Sequence, residues 1–592
     1  MKISIKNIAG ALLLGSILPL ASCTDFLDKQ ASNELTEEKT YADWKMFEAF
    51  HTDTYNFLLH GANRVGDSWL DAATDLAETS ISSSGARVSF NIGNYYGPGG
   101  SAELTSPWES RYRAIRKCNR VINDMPKVPV DITRTEEEEA AARATMTAEA
   151  RTFRAWFYWE LFLRYGPLPI VTDVLDPDED MIKPYSTRPT VKEYVVDFIL
   201  KELKESRPYL LDYADAWNAN RIGRLSQPMS LALESRIKLY MASPRFAAQS
   251  GITWADAAAA AKEFIDTYGS DFALYAEDGI PAAENYGNAV LRTQYVGNNR
   301  EVIFFRNDVR IGWDKIRLDT PVGEGGRGGN CPSQNLVDMY DMADGSSPFT
   351  QYDATGAPVY SAAGAPAINP ASGYTDATMW TGRDPRFEAT VLYQGVEWGD
   401  PQNRQDTHID VRPGMADNPR GNADATPTGY YMRKYIPATI LSSNHGGQAY
   451  RLWTIIRYAE ILLNYAEALN EVGGPSADVA DLLDQVRHRG GITGDVADRA
   501  DLMGSKDAMR NFIHKERTVE FAFEEHRPWD VRRWGVAVEA LSRPIYGVNV
   551  DNNGVPSRKI AQPRVFEEKM YLYPIPEAEY WKTGLENNPG WN

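Results

Sequence analysis

Thr454-Ile455-Ile456-Arg457-Tyr458-Ala459-Glu460-Ile461-Leu462-Leu463-Asn464-Tyr465-Ala466-Glu467-Ala468-Leu469-Asn470-Glu471-Val472 is the stretch whose reading decides the fold. Ile455, Tyr458, Leu462, Tyr465 and Leu469 recur at steps of three and four residues, which makes one buried stripe on an α-helix. Ala459 and Ala466 sit beside the stripe and leave room for a partner helix. Gly473-Gly474-Pro475 stops it, and Ala477 to Arg489 predicts the return helix.

Working outward, the same pattern recurs. Ala148 to Tyr165 carries Phe153, Phe157 and Leu161 at four-residue steps and ends at Gly166-Pro167. Pro228 to Met241 is opened by Ser226, and Trp254 to Tyr268 is an alanine-rich helix. Bulky aromatics and alanines on paired helices suggest tetratricopeptide-type packing, without a clean repeating period. Residues 276–300, 306–333, 345–382 and 398–450 are rich in Gly, Pro, Asn, Asp and Ser. Loops that long in an ordered body carry function. Val302-Ile303-Phe304-Phe305 and Tyr571 to Ile575 add minor β content. The expected fold class is mainly α: a helical scaffold carrying long irregular loops.

The N-terminus predicts export. Lys2 and Lys6 precede the apolar run Ile8 to Leu20, and Leu20-Ala21-Ser22-Cys23 follows at once. Such a run is too short to span a bilayer core of ~20 residues, and the order reads as a secretory signal peptide. The expected organisation is a signal peptide over 1–22, a tether over 23–40 and a single body over 41–592. That body has a helical part to about 275 and a loop-rich part from about 276. A formal charge of −19 argues against nucleic acid, which needs a basic stripe, and against adsorption to anionic lipid. Beyond Cys23 only Cys118 and Cys331 remain, too few for a disulfide framework. Cys118, within a helical pattern, reads as a core residue.

Catalytic signatures are missing from the sequence. It has no Gly-x-Ser-x-Gly elbow, His-Glu-x-x-His pair or phosphate-binding Gly-x-x-x-x-Gly-Lys loop. Gly323 to Gly328 matches a dinucleotide pattern by letter but lacks the β-α-β setting. Seven histidines lie without ligand spacing. Neither cofactor nor metal is expected, and the chain reads as a non-enzyme. Glu516, Glu520 and Glu524 fall on one helical face; the expected role is pairing with arginines such as Arg517 and Arg527.

The chain resembles the SusD/RagB nutrient-uptake lipoproteins of Bacteroidetes along nearly its whole length. Cys23-Thr24-Asp25-Phe26-Leu27-Asp28 is similar to the family's start, and Trp108 to Asn119 to its first helix. Ala148 to Ala155, Tyr165-Gly166-Pro167-Leu168-Pro169, Gly223-Arg224, Arg383-Asp384-Pro385-Arg386 and Arg457 to Ala468 match in order. Glu516-Arg517 to Trp534-Gly535 and Leu572 to Pro576 with Asn588-Pro589-Gly590-Trp591 complete the set. Thr518 and Glu525 depart from it, where the family more often has Arg and Gly. The resemblance implies acylation of Cys23, an outer-membrane, cell-surface location, and ligand capture as the lid of a SusC-like TonB-dependent transporter. The implied ligand is most often a glycan; a peptide is the alternative.

Sugar rings need flat aromatic side chains for stacking and polar groups beside them. By position in the family, the ligand surface falls on Asp67 to Tyr96 and Asn285 to Trp313. Expected binding residues are Arg87, Asn94, Tyr95, Tyr96, Tyr286 and Trp313, with Tyr295 and Asn298 nearby. Trp69 is expected in the core.

Overall fold

The computed structural model describes residues 40–96, 100–176, 185–218, 221–291, 299–399, 407–436 and 448–591. The expected signal peptide, Cys23 and the expected tether up to residue 39 lie outside the described residues. The helices that build the scaffold and the site, numbered along the chain with shorter ones left out, are α1 (Trp44–Thr52), α2 (Ser106–Asp124), α3 (Glu136–Tyr165), α4 (Gln227–Ala242), α5 (Trp254–Tyr268) and α6 (Ala282–Leu291). They continue with α7 (Pro385–Thr390), α8 (Tyr458–Gly473), α9 (Ala477–Arg489), α10 (Lys506–Glu520), α11 (Arg527–Arg533) and α12 (Glu577–Thr583).

Local chemistry sets the helix ends. Thr135 and Glu138 form a capping box at the start of α3, and four glutamates in its first turn complement the helix dipole. Gly166 caps its far end with φ +71°, where a side chain would be strained. Thr253 and Asp256 repeat the box on α5, and Ser476 caps α9. Phe153, Phe157 and Leu161 are fully buried, as their spacing predicts. The helices pack as α2 on α3, α5 on α4 and α8, and α8 on α9. One continuous apolar cluster joins them to the rest, from Trp44 to Trp591.

The sequence reading starts α8 four residues too early. Residues up to Arg457 belong to a strand, Gln448–Arg457, that pairs antiparallel with Val302–Gly312, from Val302↔Arg457 to Gly312↔Gln448. A second departure is α6, a helix inside a stretch expected to be irregular. The remaining strands make three short pairs: Ala77–Thr79 with Asn330–Pro332, Val391–Leu392 with Tyr431–Met432, and Ile545–Val550 with Pro556–Gln562. The fold is mainly α, with minor β.

Buried charge ties the loops to the helices. Arg457 donates to Glu301, Glu520 and Glu524 at 2.6–2.7 Å. Arg489 bonds Glu301 and Glu520, and Arg487 bonds Asp341 and Glu516. The three glutamates are therefore structural, as expected, but the partners foreseen for them, Arg517 and Arg527, instead hold Asp530 and Asp75. Burial alone would raise the Glu520 carboxyl; the surrounding Arg489, Arg457 and Arg386 guanidiniums outweigh it and hold it far below the usual range. Cys118 and Cys331 are buried free thiols, pushed up to about 12 by desolvation.

Candidate functional site

The expected site residues do not converge. Tyr95 is buried, stacked on Trp591 at 5.6 Å and edge-on to Phe90 and Tyr573. Tyr286 is fully buried; its hydroxyl donates to the Glu520 carbonyl (2.8 Å) and accepts from Lys434 Nζ (2.8 Å). Burial corrects both expectations, because neither ring presents a face to a ligand. Tyr96 is 47% exposed and accepts a hydrogen bond from Asn587. Arg87 lies 3.4 Å from buried Glu78, and half-buried Asn94 bonds through its backbone to Ser89. Trp313 opens a short turn after the Val302–Gly312 strand, and its side chain lies outside the described residues, as do Tyr295 and Asn298. Trp69 is in the core as expected, its indole N–H donating to Asp319.

Two clefts remain. The first, about 870 Å³, opens between α3, α4, α8 and α11, with Trp156, Trp159, Trp453 and Trp529 on its walls. Its charges are already neutralised within the chain: Arg236 on Glu460, Arg64 on Glu525, Arg164 on Glu103.

The second cleft, about 850 Å³, is different. It is bounded by Glu284 and Asn288 of α6, Glu388 of α7, Trp398 and Arg433. Arg433 is half-buried, and among the described residues its guanidinium donates one hydrogen bond, to the Glu388 carbonyl at 3.2 Å. A guanidinium has five N–H donors, so four are left over. Neither Glu284 nor Glu388 has an ion-pair partner among the described residues, and both are exposed. Half-buried Tyr393 lies beside them: burial, then the Glu388 charge, push its phenol up to about 12. Its ring packs against Trp380 at 5.3 Å and Phe387 at 5.0 Å. Free donors and acceptors around one concave space, with buried Trp398 at its edge, suit a ligand bearing many hydroxyls.

Each wall of this cleft is fastened from behind. Glu284 and Asn288 flank Tyr286 on α6; Glu388 follows Arg386, whose guanidinium holds Asp384, Glu516 and Glu520; Arg433 precedes Lys434, which bonds Glu524 at 2.8 Å. Sequence reasoning missed Glu284, Asn288, Glu388, Tyr393, Trp398 and Arg433. They lie in separate segments, and no local spacing links them.

No described helix is long and apolar enough to cross a membrane. The profile of the SusD family matches residues 288–591, and one described as "Starch-binding associating with outer membrane" matches 25–239, so the chain belongs to the SusD family. It is 23% identical to SusD-like protein P38 of Formosa agariphila over 78% of both chains. Among solved structures it is similar to a SusD-like protein of Bacteroides fragilis (TM-score 0.74, 24% identity, 95% of this chain and 100% of that one). It is also similar to surface glycan-binding protein A of Bacteroides uniformis (TM-score 0.59, 17% identity, 92% and 99%).

Proposed function

We propose that this chain is a non-catalytic glycan receptor, acylated at Cys23 on the outer membrane, that captures an oligosaccharide and passes it to a SusC-like TonB-dependent transporter. The observation that carries the reading is the second cleft. Arg433, Glu284 and Glu388 have no ion-pair partner among the described residues and stand around one space of ligand size, with Tyr393 near Glu388. The likeness to a surface glycan-binding protein supports a glycan over a peptide. The same groups have no nucleophile–base pairing among the described residues, which supports binding without chemistry.

The test is affinity electrophoresis of the tether-free body in gels containing a panel of polysaccharides, with Arg433→Ala and Glu388→Gln alongside. Losing a hydrogen bond to a charged group costs about 1.5–3 kcal/mol, so each variant should bind roughly 10- to 100-fold more weakly. Undiminished retardation of both removes the cleft from the reading. Retention on a peptide panel but on no glycan turns it into the peptide lid, and new reducing ends in the incubated glycan would make it an enzyme. Co-purification of a large outer-membrane barrel with the acylated chain tests delivery.

A further inference from the structure

We propose that Asp484, His488 and Asp495 bind one transition-metal dication of the zinc class. Asp484 and His488 are four residues apart on α9, so their side chains share one face, a turn apart. Asp495 comes back from the following loop, and His488 Nε2 lies 3.0 Å from its Oδ1. One donor atom from each residue can be chosen such that all three lie within 4.8 Å of one another.

The observation that asks for a cation is Asp484. It is only 9% exposed, yet no Lys, Arg or His nitrogen among the described residues lies within ion-pair distance of it. The neighbouring Arg487 is spent on Asp341 and Glu516. Its one bonding partner is the Val496 N–H, at 2.9 and 3.1 Å from the two oxygens, which leaves most of its lone pairs open. A buried carboxylate with a second carboxylate beside it is costly without a counter-charge. A simple His488–Asp495 pair would leave that cost standing. A dication shared by all three removes it.

The loop that delivers Asp495 is held in place. Ile492 N–H bonds the Arg487 carbonyl and Thr493 N–H bonds Ala343. A Cβ on Gly494 would sit 2.2 Å from the Asp344 carbonyl oxygen, so the backbone there is pressed against its neighbour. With bonds of ~2.1 Å, a tetrahedral ion needs its donors about 3.4 Å apart. Rotation of the exposed His488 and Asp495 side chains supplies that closure. An imidazole nitrogen among the donors favours a zinc-class ion over calcium or magnesium, which take oxygen. A fourth position stays open to water.

The experiment uses the tether-free body without a histidine tag, stripped with chelator, titrated calorimetrically with zinc chloride and, separately, calcium chloride. Cobalt(II) reports donor geometry by its visible absorption. Expected are one saturable zinc site, a cobalt spectrum of low coordination, and at least tenfold weaker zinc binding in His488→Ala and Asp495→Asn. Both positions are exposed, so both variants should fold as the parent does when metal is absent, with Asp495→Asn melting no lower than the parent because it removes the carboxylate beside Asp484. Absence of saturable zinc binding, equal binding by both variants, or tighter calcium than zinc would each overturn the proposal.

Discussion

Asp71→Asn should stabilise the protein at alkaline pH and leave it unchanged in acid. Asp71 is fully buried just after Trp69. One carboxyl oxygen accepts the Phe523 N–H at 3.1 Å, and the other has no partner among the described residues. Lys434 is engaged with Glu524. Burial, followed by the Glu525 charge, pushes the group up to about 7. Its folded pKa thus lies above the unfolded value near 3.9, so the folded state holds this proton more tightly. The stabilisation linked to that proton is fully present below pH 4 and is lost as pH rises through 7. A shift of about three units at 1.36 kcal/mol each gives an upper bound of about 4 kcal/mol, and water penetration brings the expected loss to about 2–4. Asparagine keeps the acceptor for Phe523 and carries no charge at any pH. Urea midpoints from tryptophan fluorescence should therefore coincide for parent and variant at pH 4 and separate progressively to pH 8, where the variant is the more stable. A difference independent of pH, or a variant weaker at pH 8, would refute the reasoning.

Other substitutions read other parts of the structure. Tyr95→Ala should lower stability by about 3–4 kcal/mol, because a ring buried against Trp591 leaves a cavity, whereas Tyr96→Ala should cost under about 1, both read by denaturant titration. Arg457→Leu removes the guanidinium shared by Glu301, Glu520 and Glu524, which keep Arg489, Arg386 and Lys434, and an expected loss of about 3 kcal/mol shows in the same assay. Glu525 has φ +64°, so Glu525→Gly should be more stable than Glu525→Ala by about 1 kcal/mol, although both delete the Arg64 partner. His526, stacked on Phe521, is driven down to about 4 by burial, below its unfolded value of about 6.5. The stability it contributes is present above pH 6.5 and lost as pH falls through 4, up to about 3 kcal/mol, so His526→Gln should flatten the acid limb of the urea midpoints.

What the sequence could show followed the range of each signal. The end of α8 and all of α9 are readable because caps, glycines and a 3.6-residue stripe are local. The start of α8 is not: Ile455 falls in phase with the stripe, but Arg457 is extended and pairs with Val302, more than 150 positions away. Glu516, Glu520 and Glu524 share a helical spacing, yet α10 ends at Glu520 and Phe523 carries φ +63°, so Glu524 reaches Arg457 and Lys434 from a turn. Glu525 occupies another left-handed position, which gives a backbone reason for the glycine more usual in relatives. The cleft residues were illegible because their grouping is made entirely by tertiary packing.

That packing also explains how long loops can hold a site in shape. Buried ion pairs add little net stability, since desolvation offsets their attraction, but removing one partner is costly, so they select one arrangement. Here the arrangement reaches the cleft through adjacent residues. Arg386 and Glu388 lie two positions apart on α7, about 200° around the helix, so fixing Arg386 among three carboxylates turns Glu388 outward. Arg433 and Lys434 lie in the turn just past the Tyr431–Met432 strand, where both N–H groups bond the Thr390 carbonyl; Lys434 is buried on Glu524 while Arg433 stays half-buried at the cleft. Tyr286, bonded to Lys434 and to the Glu520 carbonyl, does the same for Glu284 and Asn288. One lattice of paired charge thus orients three walls of unpaired groups, and their rotamers need little ordering when a ligand arrives. Tyr286, expected to touch the ligand, instead sets the direction of Glu284 and Asn288.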